Sequence, residues 1–217
     1  MNIKDQSLHS FLYKLCTSLL LLTLLFLIST QVSAQLYPCD GRLYFTRQMA
    51  GGTEVSAVTV SGTSTVNVNK VATIKDINTN ATGYYNGYIY TQDWGPSNFT
   101  LLRVNANGTT TSKTVAGITK QQYNNAGIDK NGIMYILYTQ SNPILYKIDL
   151  KQWDATLTAE AVTCTMTAGT RLWGDITFDP ITGKAYAWYH PGSTPTAGQA
   201  VRGLYEIQNI TSASPSI

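Results

Sequence analysis

The chain has 217 residues, with 15 basic and 12 acidic side chains, 14 tyrosines and 3 cysteines. A formal charge of +3 with no long run of like charge argues against a nucleic-acid binder, which would carry a basic stripe. So few cysteines argue against a disulfide scaffold.

In chain order the first element is a targeting segment. Lys4 and Lys14 lie in a polar leader, and an apolar run follows over residues 19–28. Val32-Ser33-Ala34 has the small-residue form of a signal-peptidase site, which predicts cleavage before Gln35. The apolar run is about half the roughly 20 residues that a membrane-spanning helix needs. The expectation is therefore a signal peptide over residues 1–34 and a secreted, periplasmic or cell-surface product that does not span a membrane. An uncleaved anchor is the alternative.

After it one motif is written four times: Gly41-Arg42-Leu43-Tyr44, Gly87-Tyr88-Ile89-Tyr90, Gly132-Ile133-Met134-Tyr135 and Gly183-Lys184-Ala185-Tyr186. The spacings are 46, 45 and 51 residues. A period of that size with strand-like contents points to propeller blades. The third copy shows the parts most clearly. Residues 124–128 read as a short small-residue strand, and Asp129-Lys130-Asn131-Gly132 as a turn in which Asn-Gly supplies positive φ. Residues 133–139 and 144–150 read as strands, the latter with Leu145, Lys147 and Asp149 alternating against Tyr146 and Ile148. Residues 158–165 read as a fourth strand.

The fold class predicted is all-β, a β-propeller of four-stranded antiparallel blades near residues 36–75, 76–120, 121–168 and 169–217. The Tyr of each motif is expected to enter the layer between blades, because a blade buries both faces of its sheet only against neighbours. Thr211-Ser212-Ala213-Ser214-Pro215 reads as a turn or a frayed tail. The expectation is about four blades of a larger propeller, with open edges that would pair with another copy or with downstream blades. Cys39 and Cys164 fall in the first and third repeats, too far apart for a bond, and are expected to be unpaired buried thiols.

The segments Pro38-Cys39-Asp40-Gly41-Arg42-Leu43-Tyr44 and Asn80-Ala81-Thr82-Gly83-Tyr84, followed by Gly87-Tyr88-Ile89-Tyr90, resemble secreted bacterial propeller modules of the DUF6923 type. Asp175-Ile176-Thr177-Phe178-Asp179-Pro180-Ile181-Thr182-Gly183 is similar to later blades of the same modules. The chain departs from them at Tyr90-Thr91, where those modules usually have Tyr-Gly. The resemblance implies an exported or surface location, often within a longer adhesin-like protein. It implies no activity and no site residue.

Chemistry is sparse. Inner-strand candidates for a ligand at the channel mouth are Asn80, Asn124, Asn125 and Asp175. A single carboxylate is a poor cage for Ca²⁺, which takes six to eight oxygens, so no metal and no other cofactor is implied. His190 is the lone histidine of the mature chain, which leaves no two-histidine zinc motif, and no Gly-x-Ser-x-Gly elbow is present. Trp94, Trp188 and Tyr189 lie in or beside loops, where rings could stack on a sugar or a peptide. The functional expectation is an exported non-enzymatic module for binding or surface display, with a glycan or protein ligand. The alternative is a fragment of a lactonase-like hydrolase with a metal in its channel.

Overall fold

The glycines of the second, third and fourth motifs close hairpins, and the local chemistry shows why. Asn86 and Gly87 have φ of 47° and 80°, and the flanking Tyr85 and Tyr88 are paired. This is the two-residue turn whose twist matches that of the strands it joins. In the third and fourth copies the turn is longer and an aspartate organises it. Asp129 Oδ1 accepts the N–H groups of Asn131 and Ile133, both at 2.9 Å, and Asp179 Oδ1 accepts those of Ile181 and Thr182.

The computed structural model describes residue 36 and residues 43–62, 65–138, 143–165, 173–189 and 202–217. The signal-peptide reading of residues 1–34 and the position of Cys39 lie outside them. Fourteen strands follow one another without an α-helix among the described residues. They are β1 (Leu43–Met49), β2 (Gly52–Ser61), β3 (Thr65–Lys75), β4 (Thr79–Tyr85), β5 (Tyr88–Asp93), β6 (Thr100–Val104) and β7 (Thr110–Thr114). Then come β8 (Gly127–Ile128), β9 (Ile133–Tyr138), β10 (Ile144–Asp149), β11 (Ala159–Thr163), β12 (Trp173–Phe178), β13 (Ala185–Tyr189) and β14 (Gly203–Ile207).

They form four separate antiparallel sheets, β1-β2-β3, β4-β5-β6-β7, β8-β9-β10-β11 and β12-β13-β14. Each sheet coincides with one predicted blade, and the array they form is not closed. The motif positions show that β1 corresponds to β5, β9 and β13, the second strand of a blade. The first-strand place of the first blade therefore falls before β1, on residues that are not described.

Three apolar layers hold the blades together. Val55, Ala72 and Ile74 meet Ile89, Leu102 and Val104 between the first and second blades. Tyr90, Phe99 and Leu101 meet Met134, Ile136, Tyr146 and Ile148 between the second and third. Tyr135, Leu137 and Leu145 meet Ala185, Ala187, Tyr189 and Ile207 between the third and fourth. Tyr44, Tyr90 and Tyr135 each enter the layer shared with the following blade, as the repeat predicts. Full burial of one large apolar side chain contributes roughly 2 kcal/mol, so each layer outweighs any single hydrogen bond in it.

Between the second and third blades Arg103 adds a cationic staple. Its guanidinium lies 4.9 Å from the ring centroids of both Tyr88 and Trp153.

Of the two readings of the tail, a turn or a frayed end, the structure forms the turn. A turn at Asn209–Ser212 reverses the chain, and Ser216 exchanges backbone hydrogen bonds with Gln208. Thr165 N–H donates to Pro215, and Ile217 N–H donates to Thr165. The buried Lys147 caps the turn from below, its Nζ donating to the carbonyls of Thr211 and Ser212. Ile210 and Ile217 supply the apolar anchors that a polar reading of Thr211 to Pro215 overlooks.

Candidate functional site

The residues that sequence reasoning selected gather at one end of the array. Asn80 is the second residue of β4, Asn124 and Asn125 precede β8, and Asp175 lies early in β12. Strand pairing puts the end of β5 beside Thr79 and Asn80, so Trp94 emerges at the same end. The end of β13 pairs with Trp173, which brings Trp188 and Tyr189 there too.

Inner-strand irregularity aims the polar groups. The β4–β5 ladder shifts register between Asn80 and Gly83, and Ala81 takes a φ of 53°. The β12–β13 ladder shifts between Trp173 and Ile176. Such bulges turn side chains away from the regular alternation. In the third blade a side chain does this work. The buried Asn125 Oδ1 accepts the N–H of Leu137 at 2.9 Å, which cuts the regular strand to Gly127 and Ile128. Asn125 is therefore an architectural residue of the inner rim.

Asn80 and Asn124 meet directly, with Asn80 Nδ2 donating to Asn124 Oδ1 at 3.0 Å across the blade boundary. Asn80 Oδ1 also accepts the N–H of Ala81 at 2.9 Å. Behind them runs a chain of hydroxyls. Thr46 and Thr82 Oγ1 are 3.0 Å apart, Thr82 and Thr91 Oγ1 are 2.9 Å apart, and Thr91 donates onward to the carbonyl of Asn80. Tyr44 and Tyr84 stack with ring centroids 5.9 Å apart and an interplanar angle of 15°.

A cavity of about 310 Å³ opens among these groups, lined by Tyr44, Thr46, Asn80, Thr82, Tyr84 and Asp175 with their neighbours. Asp175 is its one acid. No described residue pairs with the carboxylate, which lines this open cavity with its residue exposed to solvent. It reaches solvent, yet the surrounding protein withholds enough water to push its pKa above the ordinary 3.8. The threonine chain and the tyrosine stack are the parts that sequence reasoning missed. Their signal was present in the motif Tyr itself, but threonines in strands read as surface filling.

The three aromatic candidates lie outside the cavity. Trp94 is half-buried; its N–H donates to Asn78, its carbonyl accepts from Lys120 Nζ at 2.8 Å, and its indole Nε1 is buried with no partner among the described residues. Tyr189 is a correction to the reading of an exposed ring. It packs in the layer between the third and fourth blades, edge-on to Tyr205, because its strand alternation faces it inward. Trp188 points the other way and is exposed. Most of the long loop after Tyr189 lies outside the described residues. Cys164 is a free buried thiol, and burial pushes its pKa up to about 11.

Among the described residues no helix is long and apolar enough to cross a membrane, and no three His, Cys, Asp or Glu side chains come together as a metal-binding group. Neither a curated protein nor a solved structure matches the chain. A family described as a repeat of unknown function, DUF6923, matches residues 44–202, from the motif Tyr of the first blade to the edge of β14. With that match spanning most of its length, the chain belongs to the DUF6923 repeat family.

Proposed function

We propose that the chain is an exported, non-enzymatic binding module whose channel-mouth cavity takes a small polyhydroxylated ligand, such as the terminal sugar of a glycan. The observation that supports this most is Asp175, a carboxylate lining a cavity of about 310 Å³ without a described protein partner. A volume of that size suits one sugar ring, and pockets of this kind fix orientation with a few polar groups. Around Asp175 the cavity offers what sugars use: an acceptor, the Thr46 and Thr82 hydroxyls, the Asn80 amide and the stacked Tyr44 and Tyr84 rings. The blades behind it hold these groups on rigid strands, so little ordering accompanies binding.

A glycan array followed by calorimetry on the best hit tests the reading. Asp175→Ala is expected to weaken that hit by about tenfold or more, the loss of a hydrogen bond to a charged group. Trp94→Ala, at the same end but outside the cavity, is expected to leave it within about twofold. Binding that depends on Trp94 and ignores Asp175 would move the site to the loops, and an empty array would remove the sugar assignment.

The alternative, a metal-bearing hydrolase fragment, rests on the same aspartate. Calcium titration by calorimetry separates the two: tight binding abolished by Asp175→Ala would favour the metal.

A further inference from the structure

Every junction between blades is built from the same two cross-strand pairs. On the face toward the preceding blade, the residue just before each motif Tyr pairs with an aliphatic residue of the third strand. These pairs are Ile89 with Val104, Met134 with Ile148 and Ala185 with Ile207, and all six residues are buried. On the face toward the following blade, the residue two after the motif Tyr pairs across to the third strand. These pairs are Thr46 with Val55, Gln92 with Leu101 and Leu137 with Leu145; Val55, Leu101, Leu137 and Leu145 lie within the three layers, Gln92 is a buried polar residue and Thr46 is half-buried.

The two end blades carry the remaining pair of each kind, with Leu43, Trp188 and Leu204 exposed and Val58 half-buried. Leu43 pairs with Val58 on the backward face of the first blade, where Leu43 is 67% exposed and its neighbour Phe45 37% exposed. Val66 and Val68, paired with Val60 and Val58, extend this apolar face along β3 and are exposed as well. Trp188 pairs with Leu204 on the forward face of the fourth blade, 43% and 57% exposed. Tyr186, the fourth motif Tyr, shares that face by strand alternation. Exposed apolar groups gathered on one face mark an interaction surface rather than ordinary scatter.

We infer that the forward face of the fourth blade docks on the backward face of the first blade of a second copy of this chain, head to tail. The argument is continuity. A forward pair against a backward pair is the junction the chain already makes three times within itself. Trp188 with Leu204 stands where Leu137 with Leu145 stands in the third blade, and Leu43 with Val58 stands where Ala185 with Ile207 stands in the fourth. Arg47 with Glu54 and Lys184 with Glu206 are ion pairs held within their own faces, and Lys70 stands near Glu54 as a further cation on the first. A contact between unlike faces is heterologous: it closes into a ring where the rotation allows and otherwise grows as a filament.

Sedimentation velocity on the full chain, over roughly 1 to 100 µM, tests this, since modest interfaces associate in that range. The wild type is expected to self-associate, and Leu43→Asp or Leu204→Asp alone to weaken association at least about tenfold, as loss of a central apolar contact does. The deciding step mixes the two variants. Each keeps one intact face, so the mixture is expected to form a 1:1 dimer under conditions where either variant alone associates at least about tenfold more weakly. A wild type that stays monomeric throughout, association that neither substitution weakens, or folded variants that fail to pair would overturn the proposal. Hydrogen exchange on the wild type needs no substitution. Protection at Leu43 to Phe45 and at Trp188 and Leu204 is expected to rise with concentration, and concentration-independent exchange there would overturn the proposal equally.

Discussion

Asp175 and Asp179 lie four residues apart, and their surroundings push their carboxyl groups in opposite directions. Asp179 is held below its ordinary value by hydrogen bonds from Thr182 and Ile181, so its contribution to stability is present at neutral pH and fades as acid protonates it. Asp175 gains no such bonds, and partial removal from water raises its value. The folded state then holds a proton on Asp175 more readily than the unfolded chain does. Its contribution is complete below the unfolded value near 3.8 and declines as pH rises through the higher folded value. Asp175→Asn is accordingly expected to melt higher than wild type at pH 7 and to match it at pH 3. Calorimetric melts at both values check this, and equal melting at pH 7 would show that the cavity imposes no cost. The side chain proposed to bind the ligand is thus one whose removal is expected to stabilise the fold, as is common at functional sites.

At the scale of elements, the hairpins were legible because their chemistry is local. Asn86-Gly87 and the Asp129 and Asp179 turns specify themselves within a few residues, and the strands after them carry branched and aromatic side chains. The third blade follows its reading closely in β9, β10 and β11. The inner strands were less legible, because their boundaries depend on contacts far along the chain. Asn125 shortens β8 by bonding to Leu137, and Gly127 lies against the backbone of the next blade. A Cβ built on Gly127 would stand 2.7 Å from the carbonyl oxygen of Ile176, with an ordinary backbone conformation at the glycine. Gly127→Ala therefore pries the third and fourth blades apart, at an expected cost of about 1–3 kcal/mol. Gly183→Ala separates this from backbone strain, because its φ is +73° and nothing lies within 4 Å of the added carbon; about 1 kcal/mol is expected there. Chemical denaturation of both variants checks the ranking. The cavity's threonine chain was not legible for the same reason: it joins Thr46 and Thr82, 36 residues apart.

For the whole molecule, stability is a sum over junctions between neighbours. The second and third blades are covered on both sides, while the first and fourth are covered on one. β3 is exposed along its entire first half. At low concentration, backbone exchange is expected to be slowest at β9 and β10, intermediate at β13, and fastest over residues 65–70 of β3. Mass-spectrometric hydrogen exchange measures this, and uniform protection across the four blades would mean the array opens only as one unit.

Because all three seams are written with the same pair of positions, no seam by itself fixes how many blades the array holds. A stretch of DNA encoding one whole repeat, duplicated in frame, brings with it both surfaces its new neighbours require. Such a chain can be enlarged or shortened by complete wedges without redesigning any single residue, which favours change in its genes by copy number over change by substitution.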